Sequence, residues 1–169
     1  NNMTVSPFRW VMLLFGGFFL FFVIWSEYNA LFPEDFRQPV STALLTALSY
    51  TLLLVLSVSL ESSNQRLIIA LPAVAVGAGT MSMRVFQLRL SEPWPILPAV
   101  GTMLITAQMA AALHYLPINP LSYGLIILGT LYTTVNFILN LAQNASLRRA
   151  GFEGLLSIAI IWLIAIWMN

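Results

Sequence analysis

Along the chain, long apolar runs alternate with short clusters of proline, charge and amide. A helix needs about 20 mostly apolar residues to cross a hydrocarbon core of about 30 Å. With charges and turn residues as fences, six stretches approach that length: residues 8–26, 40–60, 67–83, 96–116, 123–143 and 152–168. The first is opened by Pro7 and Arg9 and closed by Glu27. It carries Trp10 and Trp25 near its ends, where indole rings settle at headgroup level. It is too long for a signal-peptide core, and Trp25-Ser26-Glu27-Tyr28 is not a small-residue cleavage site, so it reads as a retained span. The second contains no charge and follows Pro39, with Val40-Ser41-Thr42 placed to cap its first turn. The third is short and contains Pro72 and Gly77-Ala78-Gly79, which would suit a re-entrant segment. The fourth stops at His114-Tyr115 before Pro117 and Pro120. The sixth carries Trp162 and Trp167.

The pattern predicts an all-α integral membrane protein in which residues 1–169 form a single transmembrane helical domain. Six helices form the bundle, or five if the third stretch is re-entrant. The longest connection, residues 27–39, contains the turn signal Pro33-Glu34-Asp35 and could serve as a docking loop, though a solvated turn explains it as well. Residues 61–66 and 117–122 read as tight turns, 84–95 as a medium loop, and 144–151 as the last connection. Connections this short make successive helices antiparallel neighbours and leave no room for a soluble domain. No internal repeat stands out, so inverted halves are not expected.

Composition narrows the function classes. The chain is 59% hydrophobic and 8% charged, with a mean hydropathy of +0.87. A soluble domain is about 45–50% apolar and about 25% charged. Soluble enzymes, nucleic-acid binders and disordered tails are excluded together. Lysine is absent, and the arginines divide unevenly between alternate connections. Arg37, Arg84, Arg89, Arg148 and Arg149 fall on one side and Arg9 and Arg66 on the other, which places the first set inside and both termini outside. Arg148-Arg149 would then anchor its loop to anionic headgroups on the cytoplasmic face. Without cysteine there is no disulfide, thiolate or iron–sulfur chemistry. Glu27, Glu34, Asp35, Glu61, Glu92 and Glu153 all read as span ends or loops, so no embedded carboxylate serves a proton relay. The single histidine has no carboxylate near it in sequence, which argues against a nucleophile–base constellation and against an enzyme. The sequons Asn2-Met3-Thr4 and Asn144-Ala145-Ser146 fall on opposite faces and are read as chance matches.

The fifth stretch is the most informative. Tyr132, Thr133, Asn136, Asn140, Gln143 and Asn144 recur at three- and four-residue spacing and share a helical face. Carboxamides in hydrocarbon are costly unless hydrogen-bonded, so this face should meet protein, cofactor or water. It is either inter-helix glue, at roughly 0.6–2 kcal/mol per bond, or the wall of a pocket for a small neutral solute. Thr106, Ala110 and His114 form a row on the fourth stretch, with Gln108 on the same helix, and Thr106, Gln108 and His114 are the expected facing partners. His114 alone could supply one axial ligand to a haem iron or a chlorophyll magnesium. The pairs Ala73…Gly77, Ala75…Gly79 and Ala107…Ala111 allow close helix approach. Met81, Met83 and Met103 read as gap fillers rather than metal ligands.

The leading expectation is a non-catalytic multispan subunit, structural or accessory to a larger membrane assembly. Its partners would be the lipid bilayer and other membrane subunits, with no nucleic acid, in a plasma (inner) or other energy-converting membrane. One alternative is a small neutral-solute binding or transport component with its pocket between spans four and five. A second is a pigment- or haem-associated protein using His114. No cofactor is assigned. In size and hydrophobicity the chain resembles the small six-span substrate-binding subunits of vitamin uptake systems, a resemblance of architecture with no motif behind it.

Overall fold

The computed structural model describes residues 7–30, 38–90 and 95–168. These residues are helical without a strand: α1 (Pro7–Ala30), α2 (Gln38–Ser62), α3 (Leu67–Leu90), α4 (Ile96–Leu113), α5 (Pro120–Ala142) and α6 (Leu147–Trp167). A helix satisfies its own backbone groups, which hydrocarbon cannot do. Helices α2 to α6 are long and apolar enough to cross a membrane, and α1 carries an apolar run over Gly16–Tyr28. Their lengths and composition suggest a multi-pass membrane protein. The expectations for Asn2-Met3-Thr4, Pro33-Glu34-Asp35, Arg37 and Glu92 lie outside the described residues, as do the side chains of Arg9 and Trp10.

Several helix ends differ from those the sequence predicts. Helix α3 runs through Pro72 to Leu90 without the break that a re-entrant third stretch would need. Arg84 and Arg89, expected in a medium loop, lie on its last two turns. Arginine is a good helix former, and its aliphatic stem lets the charge reach the interface from a helical position. For the same reason α6 begins at Leu147 rather than residue 152 and takes in Arg148, Arg149 and Glu153. Helix α5 begins at Pro120. There the Asn119 side chain accepts a bond from Leu121 N–H at 3.1 Å, and proline occupies the first helical position, where no donor is needed.

Two connections share one device. After α2, Asn64 adopts a left-handed conformation at φ 46°, and after α5 Asn144 does so at φ 60°. The Ala145 N–H reaches back to Asn140 O at 2.9 Å and the Asn144 N–H to Leu141 O at 3.0 Å. Gln65 and Asn64 repeat those bonds to Leu60 and Glu61 at 3.5 and 3.0 Å. Both are Schellman caps in which asparagine replaces the usual glycine. They turn the chain sharply enough for α3 and α6 to begin within a few residues.

The described residues divide into two compact units, 1–45 and 46–169. The first holds α1 and the opening turns of α2. On α1 the Phe21 and Trp25 rings lie 6.4 Å apart. The second unit holds the rest of α2 with α3 to α6. In it α3 packs on α4, α5 on α6, and α5 also on α3 and α4, so α5 is central. Its buried stripe is Ile127, Leu131, Val135 and Leu139, with Tyr123 and Ile126 above. From α4 come Ala99, Thr102, Thr106, Ala110 and Leu113, and from α3 Val74, Ala78, Val85 and Phe86.

Glycines set the closest approaches. A Cβ on Gly129 would lie 2.7 Å from Ile161 Cγ2 of α6, and one on Gly124 2.6 Å from Val58 Cγ2 of α2. Gly77 similarly receives Leu56, and Gly79 receives Met103, which fits the small-residue and methionine expectations for α3 and α4.

Candidate functional site

Several hydroxyls in these helices bond to their own backbone. Thr102 donates to Ala99 O at 2.8 Å, Thr130 to Ile126 O at 2.8 Å and Thr134 to Thr130 O at 2.7 Å. Back-bonding one turn down satisfies a hydroxyl without a ligand or a second helix. Ser57, Thr106, Ser122 and Thr133 hydroxyls, His114 Nδ1 and Trp162 Nε1 are buried without a partner among the described residues.

The expected ladder on α5 borders the buried stripe, one residue round the helix. Tyr132 is exposed and meets Tyr50 of α2 edge-on, with ring centroids 5.7 Å apart. Asn136, half-buried, donates its amide to Tyr132 O one turn back at 2.9 Å. Asn140 crosses to α6 and donates to Glu153 Oε2 at 3.0 Å. The other oxygen, Oε1, accepts from Arg149 Nε at 2.9 Å. Gln143 is exposed and caps the C-terminus of α5.

The residues expected to face this ladder from α4 do not converge on it. Thr106 is fully buried in the core stripe, whereas Gln108, about 200° round the helix at 100° per residue, is exposed. His114 lies one residue beyond α4 as its C-cap, its ring edge-on to Tyr115 at 5.1 Å. The structure thus brings Asn140 together with Glu153 and Arg149, and Tyr132 with Tyr50. It does not gather Thr106, Gln108, Asn136 and Gln143.

The sequence pattern does not show Glu153 as a partner, because a charge at that position reads as a span boundary. Once α6 starts at Leu147, Arg149 and Glu153 stand four residues apart, the spacing of a helical ion pair. Asn140, Glu153 and Arg149 form a polar clamp across the α5–α6 hairpin. Asn140→Leu should lower the stability of the detergent-solubilised chain by about 1 kcal/mol. Glu153→Gln keeps an acceptor for the amide and should cost less. A thermal unfolding series would check the order, and equal losses would mean that the Asn140 contact depends on the charge of Glu153 and not only on an acceptor there.

A surface groove of about 320 Å³ lies beside these elements. It is lined by Ile105 of α4, Thr133, Thr134 and Phe137 of α5, and Gly151, Gly154, Leu155 and Ile158 of α6. None of the ladder amides lines it.

A family model described as a protein of unknown function, DUF5656, matches residues 1–168. The chain belongs to this family. No curated protein and no solved structure matches it. Chemistry for this DUF5656 member must therefore be read from its own side chains.

Proposed function

We propose that this DUF5656 protein is a six-helix transmembrane bundle acting as a non-catalytic structural or accessory subunit of a larger membrane assembly. The observation that carries the reading is how the polar side chains of α5 are used. Asn136 is engaged by its own helix and Asn140 by the Glu153–Arg149 pair of α6, so both amides have partners within the chain, which supports a structural use over a binding surface. Helix α6 supports the subunit role. Only 11% of its most apolar window is buried, against 28–39% for α2 to α5. Its outward face offers Leu156, Ile160, Leu163, Ile164 and Trp167 to neighbours within the membrane.

The test is the size of the native particle. Solubilised in mild detergent, the chain should migrate well above the protein mass of one 18.8 kDa copy plus its detergent belt. Migration as a lone monomer would count against the subunit reading. The same sample resolves the two alternatives. A visible absorption band lost in His114→Ala would favour a pigment or haem protein. Loss of solute binding in Asn136→Leu with the fold intact would favour a solute component.

A further inference from the structure

We propose that the groove between α4, α5 and α6 seats one acyl chain of an anionic phospholipid, with the lipid phosphate held by Arg148. The inference rests on the reading that these helices span a bilayer. Ile105, Phe137, Leu155 and Ile158 make the groove walls apolar. The Thr134 hydroxyl is bonded to Thr130 O, and the Thr133 hydroxyl is buried away from the surface. The lining therefore offers little to a polar solute and suits hydrocarbon. A Cβ on Gly151 would meet nothing within 4 Å, so the groove is open at that end. From Gly151 to Ile158 it follows α6 for roughly 10 Å at 1.5 Å per residue, down from the α5–α6 turn.

Charge decides the occupant. Arg148, Gly151, Leu155 and Ile158 are spaced at three, seven and ten residues, which places them on one stripe of α6. Arg148 therefore stands over the open end of the groove, one turn nearer the helix end. It is exposed and has no hydrogen bond or ion pair among the described residues. Its neighbour Arg149 differs, since its guanidinium is held by Glu153. The first turn of α6 adds the partial positive charge of a helix N-terminus. An unpaired cation at headgroup depth above a hydrocarbon-lined furrow matches a lipid that carries negative charge above its chains. A partner helix would have to bring its own acid to that point.

The experiment uses the full chain in its native membrane and then in detergent. Carbonate washing comes first, and release of the chain there would overturn the membrane reading itself. If the chain is retained, native mass spectrometry counts bound dioleoyl-phosphatidylglycerol against dioleoyl-phosphatidylcholine. The expected result is preferential retention of phosphatidylglycerol, reduced about fivefold by Arg148→Gln, the equivalent of about 1 kcal/mol per basic residue, and little changed by Arg149→Gln. Gly151→Leu starts its side chain in open space at that end of the groove and should weaken binding of both lipids. Equal binding of the two lipids, or phosphatidylglycerol binding indifferent to both Arg148→Gln and Gly151→Leu, would overturn the site while leaving the membrane reading intact. Dissociation of a larger complex by Gly151→Leu without loss of lipid would assign the groove to a partner helix and equally overturn the proposal.

Discussion

Gly129→Val should pry α6 away from α5. The Cβ alone would lie 2.7 Å from Ile161 Cγ2 and 3.2 Å from Ile161 Cβ, inside van der Waals contact. Ile161 cannot readily swing aside, because a β-branched side chain on a helix has essentially one χ1 rotamer. Valine adds two further methyl groups, so the helices must separate, and the loss should fall at about 1–3 kcal/mol. Helix–helix association in a membrane depends on close packing rather than on water exclusion, so there is no other large term to offset it. Thermal unfolding in detergent would measure the loss. Ile161→Ala opens space at the same contact, so the double variant should lose less than the sum of the two single losses. Strict additivity would mean that Gly129 and Ile161 do not meet.

The second large effect separates inside from outside in a chain that is apolar on both. Leu131 is fully buried on α5, and Leu163 is 70% exposed on α6. Leu131→Ala leaves a cavity in the buried core cluster and should cost about 2–5 kcal/mol. Leu163→Ala shortens one side chain on the outward face of α6 and should stay within about 0.5 kcal/mol in the isolated chain. A shared unfolding assay reports both. Comparable losses would place α6 inside an interface that persists in detergent, and a negligible loss at Leu131 would contradict the central position of α5.

Much of the architecture was legible because hydrocarbon imposes a length. Six apolar stretches became six helices, and the punctuation at Asn119-Pro120 and at the asparagine turns marks where they stop and start. The ends were less legible where a charge was used as a fence. Arg84, Arg89, Arg148, Arg149 and Glu153 all lie within helices, since a charged side chain near an interface costs a helix little if its tip reaches water. Pro72 left a re-entrant third stretch open as the alternative. The helix runs through it unbroken, because a proline near the start of a long helix removes one backbone bond and leaves the rest to continue.

The sequence by itself determined that the described residues are helical, that α2 to α6 are long and apolar enough to cross a membrane, and that α5 carries a row of amides and hydroxyls on one face. Each of these follows from local periodicity and from the cost of unsatisfied polar groups in hydrocarbon. Only the tertiary structure decided what the row does. Periodicity places Asn136 and Asn140 on one face, but it cannot say that one amide turns back to its own helix while the other crosses to Glu153. Nor can it distinguish the buried Leu131 from the exposed Leu163, since lipid and protein interior are equally apolar and hydrophobicity carries no sense of inside. The glycine contacts at Gly124 and Gly129 arise between two helices and the groove among α4, α5 and α6, relations no single helix encodes.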